Sequence, residues 1–178
     1  MEIIAGPMIE TRSTRHYLAI GVITPFRGMI SVRDRLWAEL FAWLDSRDIA
    51  SSGAAFMRLN VIDMRGPMNI EAGVLTEGPL AGDDRVRPGV FPAGEYASIT
   101  IRNHTLRAHK VIGDWIDEQG REYDHQSDPA GDRFASRYEL NLTDPRSERR
   151  KTQWIVQLNF LVRPRQDADG RLSGAHIG

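Results

Sequence analysis

Glu139, in the run Tyr138-Glu139-Leu140-Asn141-Leu142-Thr143-Asp144, is the residue best placed to do chemistry in this chain. A carboxylate among aromatic rings attracts cations, each well-placed ring adding ~0.5–2 kcal/mol. Partial burial penalises the charged form and raises the pKa, which equally suits a general acid or base. Tyr17, Tyr96 and Arg58 are the expected neighbours, because the two tyrosines fall in matching strands of two similar halves. Asn141 adds a hydrogen-bonding amide nearby, and Trp154, the first large residue of the last strand, either joins the core or edges into a cleft. A solvated strand glutamate paired with Arg137 or Arg58 is the competing reading, and the pattern leaves both open.

Other chemistries find little footing. There is no P-loop, no dinucleotide-binding glycine fingerprint and no G-x-S-x-G elbow. The stretch 121–133 holds Asp124, His125, Asp128 and Asp132 without a recognised ligand spacing, so no metal and no cofactor are expected, and the stretch reads as a long exposed loop. The basic run Arg146-Ser147-Glu148-Arg149-Arg150-Lys151 lacks interleaved aromatics and reads as a solvated turn; direct nucleic-acid binding is not expected. Trp37 and Trp115 sit on helical stripes and read as core.

The elements that must position these residues follow from periodicity. Residues 8–23 read as a hairpin or bent strand pair. A first helix follows, with Ser31 and Asp34 resembling a capping box and Leu36, Trp37, Leu40, Phe41 and Leu44 forming one stripe. Strands are predicted at about 55–62 and 68–77, then after a Gly/Pro-punctuated stretch at 95–102, 134–142 and 153–162. A second helix spans about 105–119, carrying Ala108, Val111, Ile112, Trp115 and Ile116, with Gly120 to stop it. Arg58–Asp63 and Glu139–Asp144 nearly repeat at an offset of 81 positions. The reading is an α+β fold of a duplicated β-α-β-β unit: an antiparallel sheet with both helices on one face and a groove at the pseudo-two-fold axis. One domain is expected over 1–162, its repeats at about 8–77 and 86–162, with a polar, fraying tail from 163 to 178. Alternation along 134–142 places Glu139 on the face away from the helices.

Composition sets the outer bounds. A chain of 178 residues, 41% hydrophobic and without cysteine, can bury a sizeable core but has no disulfide scaffold, thiolate site or cysteine nucleophile. A net charge of −1 provides no global field for nucleic acid, and no stretch approaches the ~20 apolar residues of a membrane span; a soluble, cytoplasmic protein is expected.

Taken in order, Ile70-Glu71-Ala72-Gly73-Val74-Leu75, Phe91-Pro92-Ala93-Gly94-Glu95-Tyr96-Ala97, Gly113-Asp114-Trp115 and Tyr138 to Pro145 followed by Trp154 resemble the GyrI-like small-molecule-binding proteins. These share their domain with the effector-binding halves of AraC- and MerR-type multidrug regulators. The resemblance covers about residues 8–162 and implies a central groove whose strand glutamate matches Glu139, capturing amphipathic, often cationic aromatic compounds in drug or toxin sensing or sequestration. Some stand-alone members of similar layout hydrolyse cyclopropane-containing toxins with the equivalent glutamate, and others bind a protein partner, including DNA gyrase. Two departures stand out: Asn141 lies where the family often has tyrosine, and Asn103-His104-Thr105 replaces a Gly-Pro-Tyr-like turn. Both imply an altered pocket, and Asn141, an amide in place of an aromatic wall, implies a more polar ligand.

Overall fold

The computed structural model describes residues 1–50 and 54–165, with the backbone alone of Asp128. Eleven strands and two long helices occur among them. In chain order these are β1 (Glu2–Arg12), β2 (Arg15–Pro25), α1 (Met29–Asp45), β3 (Ala55–Ile62), β4 (Pro67–Thr76), β5 (Arg87–Phe91), β6 (Gly94–Arg102), α2 (Thr105–Glu118), β7 (Arg121–Tyr123), β8 (His125–Asp128), β9 (Gly131–Phe134), β10 (Arg137–Asn141) and β11 (Ile155–Pro164). A 3-10 turn at Lys151–Gln153 precedes β11. The fold is α+β, an antiparallel sheet in the order β1-β6-β11-β10-β3-β4-β2-β5. Its centre is the β3–β10 junction, where Arg58 opposes Tyr138, Met57 opposes Glu139 and Phe56 opposes Leu140.

Both helices lie on one face of this sheet. The α1 stripe of Leu36, Trp37, Leu40, Phe41 and Leu44 and the α2 residues Ala108, Ile112 and Ile116 share a core with Leu18, Ile20, Val74, Ile99, Val156 and Leu158. The Trp37 indole also donates to the Phe56 carbonyl at 3.0 Å, fixing α1 over β3. The opposite face is not free. Tyr17, Phe56, Phe91, Tyr96, Tyr138 and Leu140 form a second core there, and the Phe91 and Tyr138 rings stack with centroids 3.9 Å apart.

That second core overturns the expected orientation of Glu139. Apolar residues of β10 were assigned to the helices because only one buried face was expected; with both faces buried, Tyr138 and Leu140 pack into the second core instead. Glu139, opposite Met57 on one side and Leu158 on the other, therefore points toward the helices. Arg58 and Glu139 lie on opposite faces, so the offset of 81 compares residues that are not spatial equivalents.

Four further expectations change. β1 and β2 do not form a hairpin: β1 pairs with β6 at one end of the sheet and β2 with β4 and β5 near the other. Ser31 and Asp34 do not cap α1; the cap is Gly28, at φ 87, without a side-chain hydrogen bond. Residues 121–133 are ordered as β7, β8 and β9, with Asp124 N–H donating to the Leu161 carbonyl and Ala135 N–H to the Asp124 carbonyl. β11 runs to Pro164, past the expected domain end at 162, and the rest of the expected tail, 166–178, lies outside the described residues. No helix among the described residues is long and apolar enough to cross a membrane.

Candidate functional site

The two helices start side by side, and between their first turns and the central strands lies a groove of about 750 Å³. Each helix is entered through a left-handed residue, Gly28 at φ 87 and His104 at φ 62, and neither N-terminus has a side-chain cap or an acidic residue in its first turn. Asn103 is also left-handed, at φ 60, and lines the groove with His104. Two consecutive non-glycine residues in this region carry local strain of the kind that gathers at ligand sites. The walls are largely apolar: Met29, Met57, Met64 and Met68 with Leu59 and Trp154. Methionine-rich walls repack around occupants of different shape.

On the floor a chain of three polar side chains crosses from β10 to α2 and back. His109 Nε2 lies 2.8 Å from Glu139 Oε1, and Arg137 Nη2 lies 3.3 Å from His109 Nδ1. His109 thus bridges the two charged groups, Nε2 facing the Glu139 carboxylate and Nδ1 the Arg137 guanidinium. Burial is the strongest influence on Glu139 and opposes ionisation, yet the hydrogen bond and electrostatic pull of His109, followed by the pull of Arg33 and Arg137, outweigh it and hold the pKa below the usual glutamate value. Burial lowers the Arg137 pKa from its usual value. The Arg137 guanidinium lies 4.8 Å from the Phe134 ring centre and 5.2 Å from that of Phe160.

Above this floor, Arg33 is 6% exposed, forms two hydrogen bonds to Asp34 Oδ1 at 3.1 and 2.7 Å, and lies 4.5 Å from the Trp37 ring centre. Lys151 pairs with the other Asp34 oxygen, tying the 3-10 turn to α1. The Trp154 indole donates to the Glu148 carbonyl at 2.7 Å, so its ring is held as a groove wall.

Of the expected site residues, Glu139 and Trp154 line this groove and the others do not. Tyr17, Tyr96 and Arg58 lie across the sheet. Arg58 donates to the Tyr17 hydroxyl at 2.6 Å and to the carbonyls of Val90 and Ala135 at 3.1 and 2.9 Å, while Tyr17 donates to Glu71 at 3.0 Å and Tyr96 to the Pro92 carbonyl at 2.8 Å. These bonds hold β5 and its flanking turn over the second core. Asn141 shares the helix face but lies buried beyond the groove, its Nδ2 without a hydrogen bond. Sequence reasoning missed His109 and Arg33. Both were visible as polar residues on an apolar stripe, each three and seven positions ahead of buried stripe residues: Ile112 and Ile116 for His109, Leu36 and Leu40 for Arg33. Among the described residues no cluster of three or more His, Cys, Asp or Glu side chains could hold a metal ion.

No family model and no curated protein matches the sequence. Solved structures do match the fold. The EcmrR C-terminal domain superposes with a TM-score of 0.63 at 12% identity, over 88% of this chain and 96% of that domain. The fold is that of the GyrI-like effector-binding domains. SAV2435 bound to tetraphenylphosphonium gives 0.55 at 11% identity over 88% of this chain and 93% of that one, and a hydrolase from Listeria innocua 0.57 at 11% over 88% and 91%. Against EcmrR in its DNA-bound transcription complex the TM-score is 0.65 at 11% identity, and 88% of this chain matches 57% of that longer one.

Proposed function

We propose that the groove between the helix N-termini captures a small amphipathic organic molecule, in sensing or sequestration. The observation that carries this reading is the cavity of about 750 Å³ with apolar walls and a few convergent polar groups on its floor, within the size range of drug-sized ligand sites. The tetraphenylphosphonium held by SAV2435 and the effector-domain fold of EcmrR add support. The domain is read as two copies of one unit, about 8–77 and 86–162, meeting at the β3–β10 junction; the mirrored strand order supports this, as do Arg33 and His109, each five residues after a left-handed cap. The test is a melting-temperature screen with amphipathic compounds, repeated on Met57→Trp, which fills the groove. Stabilisation by a subset of compounds in the parent and none in the variant is expected. Compounds that stabilise a folded Met57→Trp protein equally well would move the site elsewhere.

A hydrolytic reading, with Glu139 as general base, draws on its hydrogen bond to His109 and on the hydrolase neighbour. A glutamate held below its usual pKa is a weak base, so binding ranks first. Recovery of intact ligand after many equivalents have been presented fits binding; repeated turnover that is lost in Glu139→Gln would favour hydrolysis.

A further inference from the structure

A cation preference would require Glu139 to be the groove's unbalanced charge, and the surrounding residues say otherwise. Glu139 is the one carboxylate among the lining residues described, against four cationic side chains, Arg27, Arg33, Arg137 and Lys151. Asp34 lies between Arg33 and Lys151 and offsets part of this; counting it, the groove retains a surplus of two positive charges. His109 adds no negative charge and takes up Glu139 Oε1. Both helices also turn their positive ends toward the same space, with no acidic side chain in either first turn. In a partly water-excluded pocket these contributions act on an occupant with little screening.

We infer that the occupant is an amphipathic anion, a single negatively charged head such as a carboxylate or sulfonate on an apolar body, with the body against the methionine wall and the head toward Arg33, Lys151 and Arg27. The inference rests on the groove being a ligand site, as proposed above. Glu139 then serves as a buried counter-charge that keeps Arg137 and His109 oriented, and an anion completes the neutralisation that it begins.

Shape-matched ions of opposite sign separate charge from fit. Tetraphenylborate and tetraphenylphosphonium form one pair, decanoate and decylammonium a second, with decanol as the uncharged member, all titrated by calorimetry at one ionic strength. The anion of each pair is expected to bind at least tenfold tighter than its cation, with decanol between them. In the double variant Arg27→Gln, Lys151→Gln, both changes lying on the exposed rim, the ratio should fall at least fivefold while decanol affinity holds. Equal affinities within each pair, or tighter cations, overturn the inference and leave the groove reading standing. An anion preference that survives unchanged in the double variant also overturns it, because the head would then lie elsewhere. If no compound binds, decanol included, the groove reading itself fails.

Discussion

Glu139 and Tyr17 sit on opposite faces of the sheet and make the protein sensitive to opposite ends of the pH scale. The Glu139 pKa is lowered in the folded protein, so the folded state binds this proton less readily than the unfolded chain. Its contribution to stability is complete above the unfolded glutamate pKa and is lost as pH falls through the folded value. Urea titrations should show stability dropping on the acid side, and Glu139→Gln should flatten part of that drop while costing ~1–3 kcal/mol at neutral pH, since Arg137 and His109 lose a charged partner. An acid limb identical in the two proteins would mean that Glu139 is not held as described. Tyr17 behaves in the reverse sense. Burial foremost, with the Glu71 carboxylate beside it, pushes its pKa from 10.0 to about 12. Because the folded state retains this proton longer, the contribution is complete below pH 10 and fades as pH climbs toward 12. Tyr96 and Tyr123 are raised as well and add to the same trend. Tyr17→Phe should make stability less steep in that alkaline window, read by chemical denaturation at stepped pH.

At the scale of elements, much of the fold was legible and its facing was not. The α1 and α2 stripes, β3, β4 and β6 emerge from the sequence within a residue or two, because helical periodicity and apolar runs bounded by turn residues mark where an element lies whichever of its faces is buried. β10 misled because it is buried on both sides, and alternation cannot say which of two buried sides holds the helices. β1 and β2 misled for a different reason: adjacency in sequence suggested pairing, whereas their partners come from distant segments. The second core that caused the error is tight enough to test. At Gly73 in β4 an added Cβ would meet the Phe56 ring and come within 2.7 Å of the Leu18 carbonyl oxygen. Gly73→Ala should therefore destabilise by roughly 1–3 kcal/mol through overpacking, even though alanine suits a strand better than glycine. A thermal melt at or above the parent midpoint would show that the second core is looser than its ring contacts imply.

At the scale of the whole molecule, the candidate site was half legible. Position 139 was singled out by its carboxylate in an otherwise apolar strand, but its hollow was expected on the face away from the helices, whereas the groove lies between the helix N-termini and the sheet. Arg137 was in view as a partner of Glu139, but His109 was hidden because it comes from α2, and a histidine on a helical stripe reads equally well as core packing. Charge balance within the groove depends on six side chains from α1, the Pro25–Met29 connection, β10 and the turn before β11, which no local pattern groups together.

The two sides of the sheet are stitched together along a short central ladder. β3 and β10 pair over three positions, against seven between β6 and β11 and ten between β2 and β4. Breathing of the molecule should concentrate along this line, since fewer backbone bonds must open there than anywhere else near the middle. Deuterium uptake at the β3–β10 amides should run ahead of that at the β2–β4 amides. A molecule resting across Met57 and Glu139 would clamp both margins of the line at once, slowing uptake there and leaving the outer strands unchanged. Loading would then be felt as a stiffening of the seam, without any helix changing shape.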